Sequence, residues 1–293
     1  MDSRHLRYFV EVARVKSFTK ASHSLKLSQP ALSKMIRNLE EELDVTLIDR
    51  SKKQITLTDS GELVYTQAQR VLGMMDDLTS SLYDMVHLKK GTIELGLPPL
   101  IGTLFFPELI AGFRQKFPGI SIKITEYGAK KIEKILEEGH VDVAVAVAPI
   151  DETVFKAYPF NEETMDVVLP TNHKLAHKDS VDLAELAHEK FILFQEDFAM
   201  HDIIQTYCQS VGFTPEIELE SSQWDFIVEM VKAHIGIAIM PKSICEKINS
   251  TEVKNIPVVN PCVPWTLSII VKQDRYLPYA AREFIQFIHE SKL

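Results

Sequence analysis

SQPALSKMIRNLEEEL, residues 28–43, changes character along its own length: the front half is polar and basic, the back half acidic. Leu32, Ile36, Leu39 and Leu43 run through both halves at the spacing of one buried helix face. Ser28 is placed to cap that helix, and Pro30 falls in its first turn, where a missing N–H costs nothing. Gln29, Ser33, Lys34 and Arg37 share the other side. They are donors and mixed donor/acceptors of the kind that read base edges in a major groove. A helix entering N-terminus first also turns its positive dipole end toward phosphates. Glu40, Glu41 and Glu42 come later, beyond the part that would enter. The pattern predicts a helix that looks at DNA; taken alone, the same residues also fit a solvated amphipathic helix.

The flanks favour DNA. A helix over 3–15 places Leu6, Phe9, Val10 and Ala13 on one face, and a second is predicted from Thr19, as N-cap, to Leu25. The short break Lys26-Leu27 then joins two helices as a helix-turn-helix requires. VTLIDRSKKQITLT, residues 45–58, alternates β-type residues around a basic tip, Arg50-Ser51-Lys52-Lys53, the pattern of a β-wing that can touch backbone or minor groove.

Charge agrees with this division. Residues 1–58 hold eleven Lys/Arg and seven Asp/Glu, net +4, while the rest hold twenty-one against thirty-four, net −13. A basic head on an acidic body predicts that only the head meets a polyanion.

The stretch SFTKASHSLKLSQPALSKMIRNLEEELDVTLIDRSKKQITLTDSGE, residues 17–62, closely resembles the winged helix-turn-helix of LysR-type transcriptional regulators. By position, the resemblance implies that Gln29, Pro30, Ser33, Lys34 and Arg37 face DNA and that Arg50 is the wing arginine, with Lys52 and Lys53 beside it at the tip. Ser22 stands where alanine is usual and Ile48 where phenylalanine is usual; both read as packing changes.

Residues 59–90 lack proline, and Val64, Ala68, Val71, Met75, Leu78, Leu82 and Met85 follow a 4-3-4-3-4-3 spacing. That is a heptad seam on a helix about 45 Å long. It predicts pairing with a second copy of the chain rather than packing on its own domain. The resemblance implies the same: a linker helix that forms the dimer interface, with tetramers usual. Two heads at fixed spacing would select two half-sites of an interrupted dyad.

From residue 91 strands and helices alternate: strands at 92–97, 120–125 and the buried VDVAVAVA (141–148), with helices at 102–116 and 129–138 between them. A second run follows, with strands at 165–169, 191–194, 216–219 and 237–240 and helices at 201–211 and 223–233, then a strand at 265–272 and a helix at 278–289. PELIAGFRQKFPGI (107–120), EEGHVDVAVA (137–146), PTNHKLAHKDSVDLAEL (170–186) and HIGIAIMP (234–241) resemble the LysR effector domain, though His234 replaces a residue that is usually small. The resemblance implies a multidomain α + α/β chain with a periplasmic-binding-protein-like body. Its domains would be a head at 1–58, a linker helix at 59–90 and an effector domain at 91–293. Two crossings near 162 and 265 would divide that domain into one lobe of 91–162 with 266–293 and another of 163–265.

A cleft between two α/β lobes is a natural small-molecule site. LPPLIGT, residues 97–103, leaves a strand and opens a helix whose free N–H groups, with Thr103 or Gly102, could hold a carboxylate. By position, the family's effector-contacting segments imply Pro99, Leu100, Ile101, Gly102, Thr103, Tyr127, Gly128, Pro149, Gln195, Phe198, Ser222 and Gln223. These are neutral, without Arg or Lys, which points to a small ligand held by amides and hydroxyls, such as a short organic acid, with an uncharged or aromatic molecule as the alternative.

No G-x-S-x-G or P-loop occurs, and no acid/base pair stands out among the carboxylates, so catalysis is not expected. His173 and His177 lie four apart but in a predicted turn, and Cys208, Cys245 and Cys262 form no C-x-x-C pair; neither metal, cofactor nor disulfide is predicted. The charged N-terminal stretch lacks a signal-peptide core and no apolar run reaches membrane length, which predicts a cytoplasmic protein without a membrane partner. The expected partners are duplex DNA, a small-molecule effector and further copies of itself, with RNA polymerase one more. A solute-binding protein with an N-terminal extension would need an export signal, and an enzyme on the same body would need a convergent catalytic group.

Overall fold

The computed structural model describes residues 2–50, 55–86 and 90–291. The chain divides into two units, the first ending at Val86.

In the first unit, Asp2 caps α1 (Ser3–Val15) by accepting from the Arg4 and His5 amides. α2 (Phe18–Ser24) starts a residue before the expected Thr19 because Ser17 is the cap, its hydroxyl accepting from Lys20 N. α2 closes with Lys26 in the left-handed region at φ 54°, Lys26 N donating to His23 O and Leu27 N to Ser22 O. This pair of hydrogen bonds satisfies the last carbonyls and makes the sharp turn into the next helix. Ser22 is buried, and its hydroxyl donates to Thr19 O at 2.9 Å, so the added polar atom is satisfied. α3 (Gln29–Leu43) begins at Ser28, which accepts from Ala31 N, with Pro30 in the first turn. β1 (Ile48–Asp49) and β2 (Thr56–Leu57) pair antiparallel, Ile48 opposite Leu57.

α1 packs against α2, α3 and the long α4 (Asp59–Val86). Their core is Leu6, Phe9, Val12, Ala21, Leu32, Ile36, Leu39, Leu47 and Ile48. Three neighbours broaden the apolar face of α1, so Val12 is fully buried where Val10 was expected and Val10 is only half-buried. The α4 stripe does two jobs. Ala68 is 2% exposed and, with Val64, Tyr65 and Leu72, closes the core of its own head. Val71, Met75, Leu78 and Leu82 are 43–61% exposed. The uniform seam expected from spacing is therefore an uncovered stripe from Val71 to Leu82, and the side chain of Met85 lies outside the described residues.

The second unit runs β3 (Gly91–Leu97), α5 (Pro99–Lys116), β4 (Ile120–Glu126), α6 (Ala129–Glu137), β5 (Val143–Val147), β6 (Phe155–Pro170), β7 (Val181–Asp182), β8 (Lys190–Phe194), α7 (Ala199–Ser210), β9 (Glu216–Ser221), α8 (Trp224–Lys232), β10 (Ala238–Pro241), α9 (Lys242–Cys245), β11 (Val253–Val259), β12 (Pro264–Lys272) and α10 (Tyr279–Glu290). One path of strands runs β4-β3-β5-β12-β6-β11-β7, with β10 also on β6. β3 is parallel to β4 and β5. β8 is parallel to β9 and bridges Ile237, just before β10, through Phe191.

β6 is far longer than the strand expected at 165–169. Residues 155–164 pair with β12, and 165–170 pair with β10 and β11. Phe105, Phe106 and Phe113 of α5 pack with Phe160, Trp265 and Phe284 where these strands pass. Phe106, Phe113, Trp265 and Phe284 are fully buried, each contributing roughly 1.5–3 kcal/mol.

Candidate functional site

The outer face of α3 is built as the sequence implies. Gln29, Pro30, Lys34 and Arg37 are exposed and Ser33 is half-buried, opposite the buried Leu32, Ile36 and Leu39. No ion pair or hydrogen bond engages the Lys34 or Arg37 side chain among the described residues, so both cations face outward unneutralised. The first turn carries no acid to cancel the helix dipole. Arg50 differs: it pairs with Glu40 at 2.9 Å and lies over the Phe18 ring. Lys52 and Lys53 lie outside the described residues.

In the second unit, β3 stands between its two parallel partners, the chain passing first to β4 on one side and then to β5 on the other. In such sheets the crevice opens beyond the carboxyl ends of the strands where direction reverses. That edge gathers Pro99–Thr103 after β3, Tyr127 and Gly128 after β4, and Pro149 after β5. The order around β8 repeats it, gathering Gln195 and Phe198 after β8 and Ser222 and Gln223 after β9.

These two edges meet. A Cβ on Gly128 would lie 2.9 Å from Asp197 Oδ2 and 3.2 Å from the Asp197 carbonyl oxygen, so a larger residue would fit only if Asp197 shifted. Lys130 Nζ donates to Glu196 O at 3.1 Å and pairs with Asp202 at 2.9 Å. The Lys130 hydrogen bond holds the Asp202 carboxyl below its ordinary value, against partial burial and with help from His201. His201 is buried between Asp202 (3.2 Å) and Glu220 (3.0 Å).

Several expected contacts serve other ends. Leu100 and Ile101 are buried in the main core, so their side chains pack rather than face a crevice. The Thr103 hydroxyl donates back to Pro99 O at 3.0 Å and is occupied as a donor. Pro99, Thr103, Tyr127, Pro149, Gln195, Ser222 and Gln223 are exposed, and Phe198 is half-buried against Phe194. An acid stands where amides and hydroxyls were foreseen, a Cβ on Gly102 lying 3.9 Å from Glu126 Oε1, and the Gly102 amide expected to be free donates to Pro98 O at 2.9 Å because α5 begins at Pro99.

His173 is held by Glu189 at 3.3 Å and by Leu175 N, and no group of three or more His, Cys, Asp or Glu could hold a metal among the described residues. No helix among them is long and apolar enough to cross a membrane. Burial pushes the Cys208 thiol up to about 12. Burial also raises Cys245, with Asp166 and Glu163 adding to it.

The head and the body each match a known domain. Residues 3–62 match the bacterial regulatory helix-turn-helix of the lysR family, and residues 87–292 match the LysR substrate binding domain. The chain belongs to the LysR family of transcriptional regulators. This regulator is 46% identical over 286 residues to the HTH-type transcriptional regulator YwbI of Bacillus subtilis, covering 98% of this chain and 95% of that one. The transcriptional dual regulator GltC of the same organism is 28% identical, covering 98% and 96%. Among solved structures, a full-length OxyR variant from Pseudomonas aeruginosa aligns with a TM-score of 0.77 at 25% identity, covering 99% and 95%. CbnR complexed with its target DNA aligns at 0.66 and 19% identity over 99% and 100%, a likeness of fold. The regulator thus carries a DNA-binding head and a two-lobed effector-binding domain, and its relatives are regulators rather than enzymes.

Sequence reasoning missed Lys130, Asp202, Glu40 and Glu163. Glu163 accepts from Ser243 N at 2.8 Å and from its hydroxyl at 2.7 Å, joining β6 to the start of α9. Each looks like one more surface charge in the sequence, and only the fold brings its partner close.

Proposed function

We propose that the regulator reads duplex DNA through Gln29, Pro30, Ser33, Lys34 and Arg37 of α3, as a homodimer joined along α4. Two observations carry this reading, the outward, unneutralised Lys34–Arg37 face and the uncovered stripe from Val71 to Leu82. Two heads on one paired helix would engage two half-sites, and dimers of dimers would extend the site. The domain limits follow the same reading, with a head to residue 58, the linker helix and then two lobes that exchange near 162 and 265. The site of action is the cytoplasm, with RNA polymerase the partner that receives the output. The test is binding to a duplex enriched by the protein from a random pool. Lys34→Ala/Arg37→Ala should lose affinity and flatten the salt dependence by about 0.9 per lost phosphate contact. Unchanged affinity and sequence preference would remove α3 from the interface.

The effector lies between the lobes, near Gly102, Gly128, Pro149, Gln195 and Ser222, and shifts the output only by binding two arrangements unequally. A short organic acid held by backbone amides is the first candidate. A second reading, an uncharged or aromatic ligand, is favoured by Glu126 beside Gly102 and Asp197 against Gly128. A ligand carboxylate 4 Å from either would meet a repulsion of about 4 kcal/mol at an effective dielectric of about 20. A thermal-unfolding panel of small acids, their amides and aromatic compounds separates the two, since a ligand at a hundredfold excess over its Kd adds about 2.7 kcal/mol.

A further inference from the structure

We propose that Glu40 and Arg50 form an internal strut that sets the wing against the reading helix, and that Arg50 acts through this strut rather than by contacting DNA. The inference rests on the reading of α3 as the helix that enters the groove.

Glu40 lies in the acidic rear of α3, where the sequence offers only a solvated charge. Its side chain is instead 13% exposed and fully engaged. Oε1 accepts from the Leu47 amide at 2.9 Å and from the Ile48 amide at 3.1 Å. Oε2 accepts from Arg50 at 2.9 Å. One carboxylate thus spans the end of α3, the entry of β1 and the first residue beyond it. The guanidinium is held from a second side by the Phe18 ring of α2, its Cζ 5.6 Å from the centroid. A cation over an aromatic face and paired to a carboxylate is satisfied where it stands.

The opposite side of the wing base is fixed as well. Thr58 N donates to Leu47 O at 3.1 Å, and the Thr58 hydroxyl donates to Thr46 O at 2.6 Å. Gly61, in the first turn of α4, comes so close that a Cβ there would lie 2.1 Å from Leu47 O. A two-stranded wing with two residues per strand has little rigidity of its own. The strut from α3 and the close approach of α4 supply it, fixing how far the wing stands from the groove-reading face. A phosphate that drew the guanidinium off Glu40 and Phe18 would leave the Leu47 and Ile48 amides held by a carboxylate without its counter-charge.

The two roles predict opposite signs for one substitution. Glu40→Gln removes a negative charge from the DNA-binding unit and frees Arg50. If Arg50 contacts DNA, binding should tighten, because Glu40 no longer competes for the guanidinium, while the salt dependence keeps its slope. If Arg50 is a strut, binding should weaken several-fold. The probe is the duplex enriched from a random pool by the wild-type protein, titrated with the full chain below the melting temperature of every variant. Arg50→Met should weaken binding by a similar factor, and the double variant should be no weaker than the worse single. Phe18→Leu leaves the Glu40 contacts intact and removes the ring under Arg50; it should also weaken binding, which serves if Glu40→Gln fails to fold. Tighter binding by Glu40→Gln, multiplied losses in the double variant, or unaltered binding by Phe18→Leu would overturn the strut. Failure of the α3 reading has a separate mark, full binding by Lys34→Ala/Arg37→Ala.

Discussion

Leu78→Ala should weaken the proposed α4 dimer without unfolding the head. Leu78 is 61% exposed on α4, in line with Val71, Met75 and Leu82. The substitution removes three carbons, each worth roughly 0.8 kcal/mol when buried. About three-fifths of that area is still open to be covered by a partner, which gives about 1.5 kcal/mol per chain and about 3 kcal/mol for a symmetric pair. At about 1.4 kcal/mol per tenfold change, the dimer Kd should rise by about two decades. Sedimentation equilibrium of the full chain reads this directly, with the helical signal checking that the head stays folded. Leu78→Met conserves volume and should cost under about 1.5 kcal/mol. An unchanged Kd for Leu78→Ala, with dimers intact, would refute pairing along this stripe and send the interface elsewhere.

Other outcomes are expected together. His234 ends α8 at φ 59°, with its amide donating to Val231 O and that of Ile235 to Met230 O. A left-handed side chain costs about 1–2 kcal/mol and glycine about 0.5–1 kcal/mol of entropy, so His234→Gly should raise stability by about 0.5–1 kcal/mol, visible as a higher calorimetric midpoint. A thiol titration of the native chain should find Cys262 reactive and the buried Cys208 and Cys245 silent until denaturant is added; rapid native reaction of all three would contradict the packing. Because Lys130 depresses the Asp202 carboxyl, that contact contributes above the ordinary carboxylate value and is lost as pH falls through the lowered one. Lys130→Met should let Asp202 titrate upward by carboxyl NMR, and an unmoved midpoint would mean that Lys130 does not hold it.

What was legible in the sequence was local. α3 announced itself through Ser28, Pro30 and its stripe because caps and periodicity act within one or two turns. Ser17 prevailed over Thr19 as cap of α2 for an equally local reason, since either hydroxyl could serve and the chain turns at Ser17. The first half of β6 was missed because Pro159, Asn161, Glu162 and Glu163 interrupt its apolar alternation where it leaves one set of neighbours for the next. β11 was missed because Lys254, Asn255 and Pro257 dilute its signal, although Ile256 and Val258 are buried. Val64 and Ala68 keep the heptad phase of Val71 and Leu78 yet pack on their own head, a choice that spacing does not encode. Arg50 carries the position of a DNA contact, but its partners Glu40 and Phe18 lie on two other elements. Lys130 and Asp202 are far apart in sequence, and nothing short of the fold pairs them.

The passage of β6 and β12 has a mechanical consequence. They lie side by side, Glu163 opposite Trp265 and Thr164 opposite Pro264, where the proposed division of the body has the chain cross between its lobes. Rungs tied across such a ribbon resist sliding, because a slip of one residue would turn every side chain to the wrong face. Twisting and bending leave the rungs intact. On the proposed division near 162 and 265, movement between the lobes would be a rotation about this one short ribbon. A molecule caught between them would be reported as an angle, and residues far from it, Glu163 and Ser243 among them, would set how stiffly the ribbon turns.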